Sequence, residues 1–242
     1  MRASICLALL LLAAPAAAQD EGGMIEDGSE VVVTGTRISR PDFGEVDALP
    51  LIGLRRTADF AVQQVSVVGD TRDTPQRRDE IFRMVQGAIA LANRRGDIDL
   101  ATGAATVQPL TLGNYKNLPI SPDNRPDTDR VSFLVKTRLV AGSDAKAALE
   151  RIEAFIKAVP AVGRAEMRRE GELTLSVVAP EQYRGQVLDL VAADARATAA
   201  RLGPDYAVEA TGLDRTVSWS RASLTEVFLY VPYRYSVVPA RR

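Results

Sequence analysis

Three groups of side chains have the types and spacing to do chemistry. Asp97 and Asp99 lie two apart at the head of an extended stretch, so both carboxylates can share one face. Such a pair suits proton transfer or cation binding, although a solvated helix-to-strand connection explains it more simply. Asp123, Asn124, Asp127 and Asp129 crowd one proline-rich loop with the hard oxygen ligands that calcium prefers. Arg125 and Arg130 interleave with them and the DxDxDG spacing is missing, so turn chemistry accounts for these residues. Tyr115 and Lys116 adjoin as a hydroxyl and an amine; a capping contact or a partner surface is the plainer role.

Absences narrow the chemistry further. The 242 residues contain no histidine and one cysteine, Cys6. Ser-His-Asp and Cys-His catalysis are therefore excluded, together with histidine-ligated zinc and redox dithiols. Neither a GxxxxGK[ST] loop nor a GxGxxG turn occurs. No catalytic residue, cofactor or metal ligand is assigned from the sequence, and an enzyme would have to use carboxylates, hydroxyls, lysine or tyrosine.

Residues 1–18, MRASICLALLLLAAPAAA, combine Arg2, an apolar run and a small-residue ending, which reads as a secretory signal peptide. The run is about half of the roughly 20 residues that a spanning helix requires. No further transmembrane span is expected. Cleavage would remove Arg2, taking the formal net charge from −1 to −2, and would remove the lone cysteine. Such a body depends on a packed core rather than on disulfides. Its charge balance gives no reason to expect nucleic acid.

Residues 19–57 are rich in Gly, Asp and Glu and read as a flexible arm with one short β-branched strand at Val31–Thr34. Residues 58–242 read as the folded domain. Ala58–Val68 alternates like a half-buried strand, with a slip at Gln63-Gln64 that predicts a bulge. Thr74 caps a helix with Pro75 behind it and Gly96 at its end; Ile81, Val85, Ala88, Ile89 and Ala92 form its stripe. Ile98–Leu112 is extended, and Val131–Val140 is a strong strand. Ser143 caps a second helix with Leu149, Ile152, Phe155, Ile156 and Val159 inward. Strands are expected at Arg164–Arg169 and Glu172–Val178. A third helix from Pro180 turns Val187, Leu190, Val191, Ala195, Thr198 and Leu202 inward, and stops at Gly203-Pro204. Strands at Tyr206–Thr211, Arg215–Ser220 and Leu224–Val238 follow, the last interrupted by Pro232. This order predicts an α+β fold, a mostly antiparallel sheet with three amphipathic helices packed on it.

Two resemblances bear on function. The tract SEVVVTGTRISR, residues 29–40, resembles the start of TonB-dependent receptor plugs. A receptor barrel of about twenty-two strands, each of roughly 9–11 residues, does not fit a chain interrupted by three helices. Much more of the chain, from Val62 to Val238, resembles the SIMPL (DUF541) family. The residues concerned are VQQVSVVGD, IALANRRGDID, QPLTLGNYKN, VSFLVKTRLV, DAKAALERIEAFI, VLDLVAADARATAARLG and EVFLYVPYRYSVV. That resemblance implies a SIMPL-like α+β fold and a periplasmic or outer-membrane-associated protein with a binding, assembly or envelope-stress-protection role. It transfers no active site.

The expected function is thus non-catalytic binding or assembly in the cell envelope. Its rivals are an accessory role in TonB-dependent transport through residues 29–40 and a carboxylate- and tyrosine-based enzyme. Self-association through sheet edges or the C-terminal strand, or contact with another envelope protein, are the partner modes considered. Val31, Val32, Val33, Thr34, Tyr115, Trp219, Phe228 and Tyr230 are the candidate contact residues.

Overall fold

A computed structural model of the chain describes residues 29–33, 50–104 and 106–240. The expected leader at 1–18 and Thr34 lie outside the described residues. The α+β class is as expected, and the main sheet goes further by closing on itself.

Six antiparallel strands form a barrel: β1 (Glu30–Val33), β3 (Phe60–Gly69), β4 (Asp99–Thr102), β5 (Thr106–Pro109), β7 (Asp129–Arg138) and β8 (Glu166–Val178). Their order is β3-β8-β1-β5-β4-β7, and β7 pairs back with β3 along ten residues. The two-residue β6 (Ser121–Pro122) extends the ladder on β7 beyond β4. Residues 30–33, expected on an arm, are one stave of this barrel: Glu30–Val33 pairs with Leu175–Val178 on one side, and Glu30 and Val31 pair with β5 on the other.

Alternation along each strand sends every second residue to the bore. Phe60, Val62, Ala101, Val107 and Leu134 form one buried cluster, with Val32 and Val178 against it. All six staves contribute, and their only common space is the inside of the barrel. Farther along the bore the lining is polar, with Glu170 accepting from Gln64 (3.2 Å) and Arg130 (3.2 Å).

The odd-numbered positions of β3 and β7 face outward into two larger cores. α1 (Thr74–Arg95) and α2 (Ala145–Ala158) cover Val65, Val67, Val131, Phe133 and Val135 with Ile81, Val85, Ile89, Ile152 and Phe155. The second core packs Val31, Leu175 and Val177 against Val187 and Val191 of α3 (Arg184–Leu202), and against a small sheet of β10 (Ser218–Arg221), β11 (Glu226–Tyr230) and β2 (Leu54–Thr57). Last, β9 (Tyr206–Thr211) and β12 (Arg234–Pro239) make a two-stranded ribbon beside α3.

The predicted slip in β3 is real and larger than one residue. Val62 faces Thr174 but Gln64 faces Glu170, so Gln63 alone opposes three residues of β8. Gly171, at φ 63°, makes that excursion without the steric cost a side chain would bring. Arg164–Arg169 and Glu172–Val178, expected as two strands, are therefore one bulged strand. Fully buried Gln63 donates from Nε2 to Glu170 O at 2.6 Å and takes up a carbonyl freed by the bulge.

Several local expectations change by one position. Asp73, not Thr74, caps α1, its carboxylate accepting from Gln76 N at 2.8 Å. Asp144 caps α2, while Ser143 Oγ accepts from Val140 N in the preceding turn. In α3 only Val187 and Val191 are buried; Leu190 and Leu202 are 40% and 43% exposed. Pro232 divides the expected final strand into β11 and β12, which belong to different sheets.

Candidate functional site

Lys136 is the starting point. It stands opposite Val62 on β3 and Asp99 on β4, so all three side chains share the inner face of the barrel. The lysine is 6% exposed. An ammonium so placed requires a counter-charge, and β1 supplies one: Lys136 Nζ donates to Glu30 Oε2. The second oxygen of Glu30 accepts from Ser176 Oγ on β8. Below the pair, the Lys136 Nζ sits 4.2 Å from the centroid of the Phe60 ring, within reach of a cation–π attraction. Four staves, β1, β3, β7 and β8, thus meet in one polar contact inside an apolar bore.

This contact reaches the surface at the barrel rim. Glu30, Lys136 and Asp99 line a cleft of about 360 Å³ with Asn93 from the end of α1 and with Ile89, Leu100 and Leu110. The Asp99 side chain is exposed and makes no hydrogen bond or ion pair with another described residue. Its expected companion Asp97 turns elsewhere. Arg95 holds Asp97 through two bonds of 2.9 Å, and that guanidinium keeps its carboxyl below the usual carboxylate range.

A second cleft, of about 470 Å³, carries Arg125, Arg164, Arg168, Asp70 and Glu166. Its charges largely satisfy one another. Arg164 grips Asp70 at 2.7 and 3.0 Å, and Arg168 reaches Glu166 at 2.9 Å.

Beside it lies a buried carboxylate with a structural task. Glu80, 4% exposed, accepts from Thr71 Oγ1 at 2.6 Å, Gln76 Nε2 at 2.9 Å and Arg164 N at 3.2 Å. The Thr71 hydroxyl and then the Arg164 amide hold its carboxyl below the ordinary value, against the opposing effect of burial. Gly163, at φ 56°, lets this carboxylate approach: a Cβ there would fall 2.3 Å from the Glu80 carboxyl carbon. Arg77, also buried, ties the same end of α1 to Asp129 at 2.7 Å. Asp129 is thereby drawn out of the aspartate-rich loop, and Arg130 lies 3.7 Å from Asp123. Among the described residues, no group of three or more His, Cys, Asp or Glu is placed to hold a metal.

The candidate contact residues are dispersed. Val31 is buried in the second core, Val32 packs into the bore, and Val33 pairs with Leu175. Tyr115 is buried and accepts from Gln86 Nε2 at 2.6 Å, with Phe82 edge-on at 5.9 Å; Lys116 points from the same 3-10 turn. Trp219 edges the second core. Phe228 and Tyr230 stack at 5.6 Å on half-buried positions of β11. Sequence reasoning missed Glu30, Lys136 and Ser176. The one available signal was that Lys136 is the sole lysine of four lying within a predicted strand.

No family model matches the chain, and no curated protein matches it by sequence.

Removing one partner of a buried ion pair strands the other charge, at a cost of about 3–5 kcal/mol. Lys136→Met and Glu30→Gln are each expected to lose stability on that scale in urea unfolding. The double variant should lose less than the sum, since it leaves no orphan charge. Glu80 generates a pH signature as well. Its lowered folded pKa contributes stability that is present above the ordinary value of 4.5 and lost as pH falls through the folded value. The gap in urea midpoint between wild type and Glu80→Gln should therefore be widest above that value and shrink on acidification.

Proposed function

We propose that the chain is an exported cell-envelope protein that acts by assembly, through its C-terminal strand and a second copy of itself. The observation that carries this reading is the β9–β12 ribbon. Among the described residues neither strand has a neighbour on its outer edge. An isolated two-stranded ribbon is marginal in water, and an open edge is a template for another strand.

One face of the ribbon is apolar throughout, carrying Tyr206, Val208, Ala210, Tyr235, Val237 and Pro239 in register. Only one end of that face is well packed. Tyr235 donates its hydroxyl to Val191 O at 2.6 Å, and burial, foremost, pushes its pKa up to about 12. At the other end Tyr206 and Val237 are 50% and 53% exposed, near the exposed Leu202. Pairing of β12 with β12 of a second copy would extend the ribbon to four strands and continue this apolar face.

Export is supported by the leader-like residues 1–18 and by a body without cysteine beyond Cys6. The resemblance of Val62–Val238 to SIMPL chains, which no family model matches, would imply an envelope protein with a binding, assembly or stress-protection role. Among the described residues no helix is long and apolar enough to cross a membrane. The transport reading meets a physical obstacle in part of its tract: contact through Glu30–Val33 would require β1 to leave the barrel and abandon Lys136.

Light scattering of the chain lacking residues 1–18 tests the assembly. A mass above one chain is expected, reduced to one chain by Val237→Glu with the circular dichroism spectrum retained. A wild-type protein that remains a single chain at all concentrations would overturn the proposal.

A further inference from the structure

The rim cleft pairs one satisfied charge with one unsatisfied one, and we propose that it binds the ammonium group of a small organic amine. Lys136 is already committed to Glu30, and Glu30 also to Ser176. Asp99 stands directly across the ladder from Lys136, yet no ion pair joins them, and its carboxylate has no partner among the described residues. The cleft therefore carries a net negative charge at its polar end. Asn93, whose side chain likewise has no hydrogen-bond partner among the described residues, adds an amide oxygen from the α1 side. Ile89 and Leu110 form an apolar wall.

This combination selects among cations. A divalent metal would demand several carboxylate or carbonyl oxygens, whereas here one free carboxylate sits beside a lysine. A primary ammonium needs three acceptors, which Asp99, Asn93 and solvent can provide. Its alkyl chain would rest on the narrow apolar wall that the nearly buried Ile89 and Leu110 present, and would itself gain from leaving water. The volume of about 360 Å³, at the low end for small-molecule pockets, has room for a short-chain amine. The inference is independent of the assembly reading, because the cleft and the β9–β12 ribbon share no residue.

The probe is n-pentylammonium chloride, titrated into the isotope-labelled chain lacking residues 1–18 and followed by amide NMR, with n-pentanol and pentanoate as controls. Saturable shifts are expected around Asn93, Leu100 and Leu110. Asp99→Asn should weaken binding about tenfold, the size of one lost charge-assisted hydrogen bond. Added salt should weaken it in the wild type, a readout that stands even if the variant folds poorly. Shifts that do not saturate, equal binding of pentanol, or indifference to both salt and Asp99→Asn would overturn the proposal.

Discussion

A lysine ammonium inside a barrel bore must find an anion, and that requirement organises this molecule. Lys136 lies near one end of the ten-pair β3–β7 ladder, between β3 and β4, where its neighbours on the inner face are Val62, Leu134 and Asp99, whose carboxylate makes no ion pair with it. No nearby residue in sequence neutralises it. The counter-charge comes from Glu30, 106 residues earlier, and it arrives only if β1 enters between β8 and β5. The same insertion buries Val31 in the second core and turns Val32 into the bore. Electrostatics, strand pairing and apolar burial all favour one position for four residues, which is how so short a strand can close a barrel.

Around the closed barrel the remaining elements solve separate problems. α1 and α2 cover one outer face, and their capping aspartates satisfy amides at the helix starts. Glu80 and Arg77 fix the beginning of α1 to the loop at Gly163 and to the start of β7. The bulge at Gln63 lets β8 curve from one core to the next, bringing Leu173 and Leu175 under α3 and the small sheet. The chain then leaves its packed body: α3 and the ribbon share a contact that is buried at Val191 and open at Leu202. The proposed amine cleft thus lies at the barrel rim, apart from the half-covered ribbon proposed for assembly.

Much of this fold was legible locally. The three helices follow from apolar spacing of three and four, and the β3 bulge from the misplaced second glutamine. Caps shifted by a residue because Asp73 and Thr74, like Ser143 and Asp144, are adjacent side chains that can all cap. Arg164–Arg169 and Glu172–Val178 read as two strands because Gly171, between alternating runs, has the same local appearance whether it ends a strand or bulges it. β2 was hidden because Leu54–Thr57 carries two arginines and pairs only with the distant β11. The Glu30–Lys136 contact was hidden for a related reason. Lys136 reads as the polar member of an alternating strand, a pattern that assigns it to solvent unless closure turns its face inward, and Glu30 stands just before the β-branched run Val31–Thr34 expected on an arm.

Native-state hydrogen exchange at the amides of Glu30–Val33 tests the closure of the barrel most directly. Amides paired with β8 and β5 should exchange as slowly as those of Phe60–Gly69 and should lose that protection in Lys136→Met. Free-peptide exchange across Glu30–Val33, with Phe60–Gly69 still protected, would show that β1 does not close the barrel and would contradict the account.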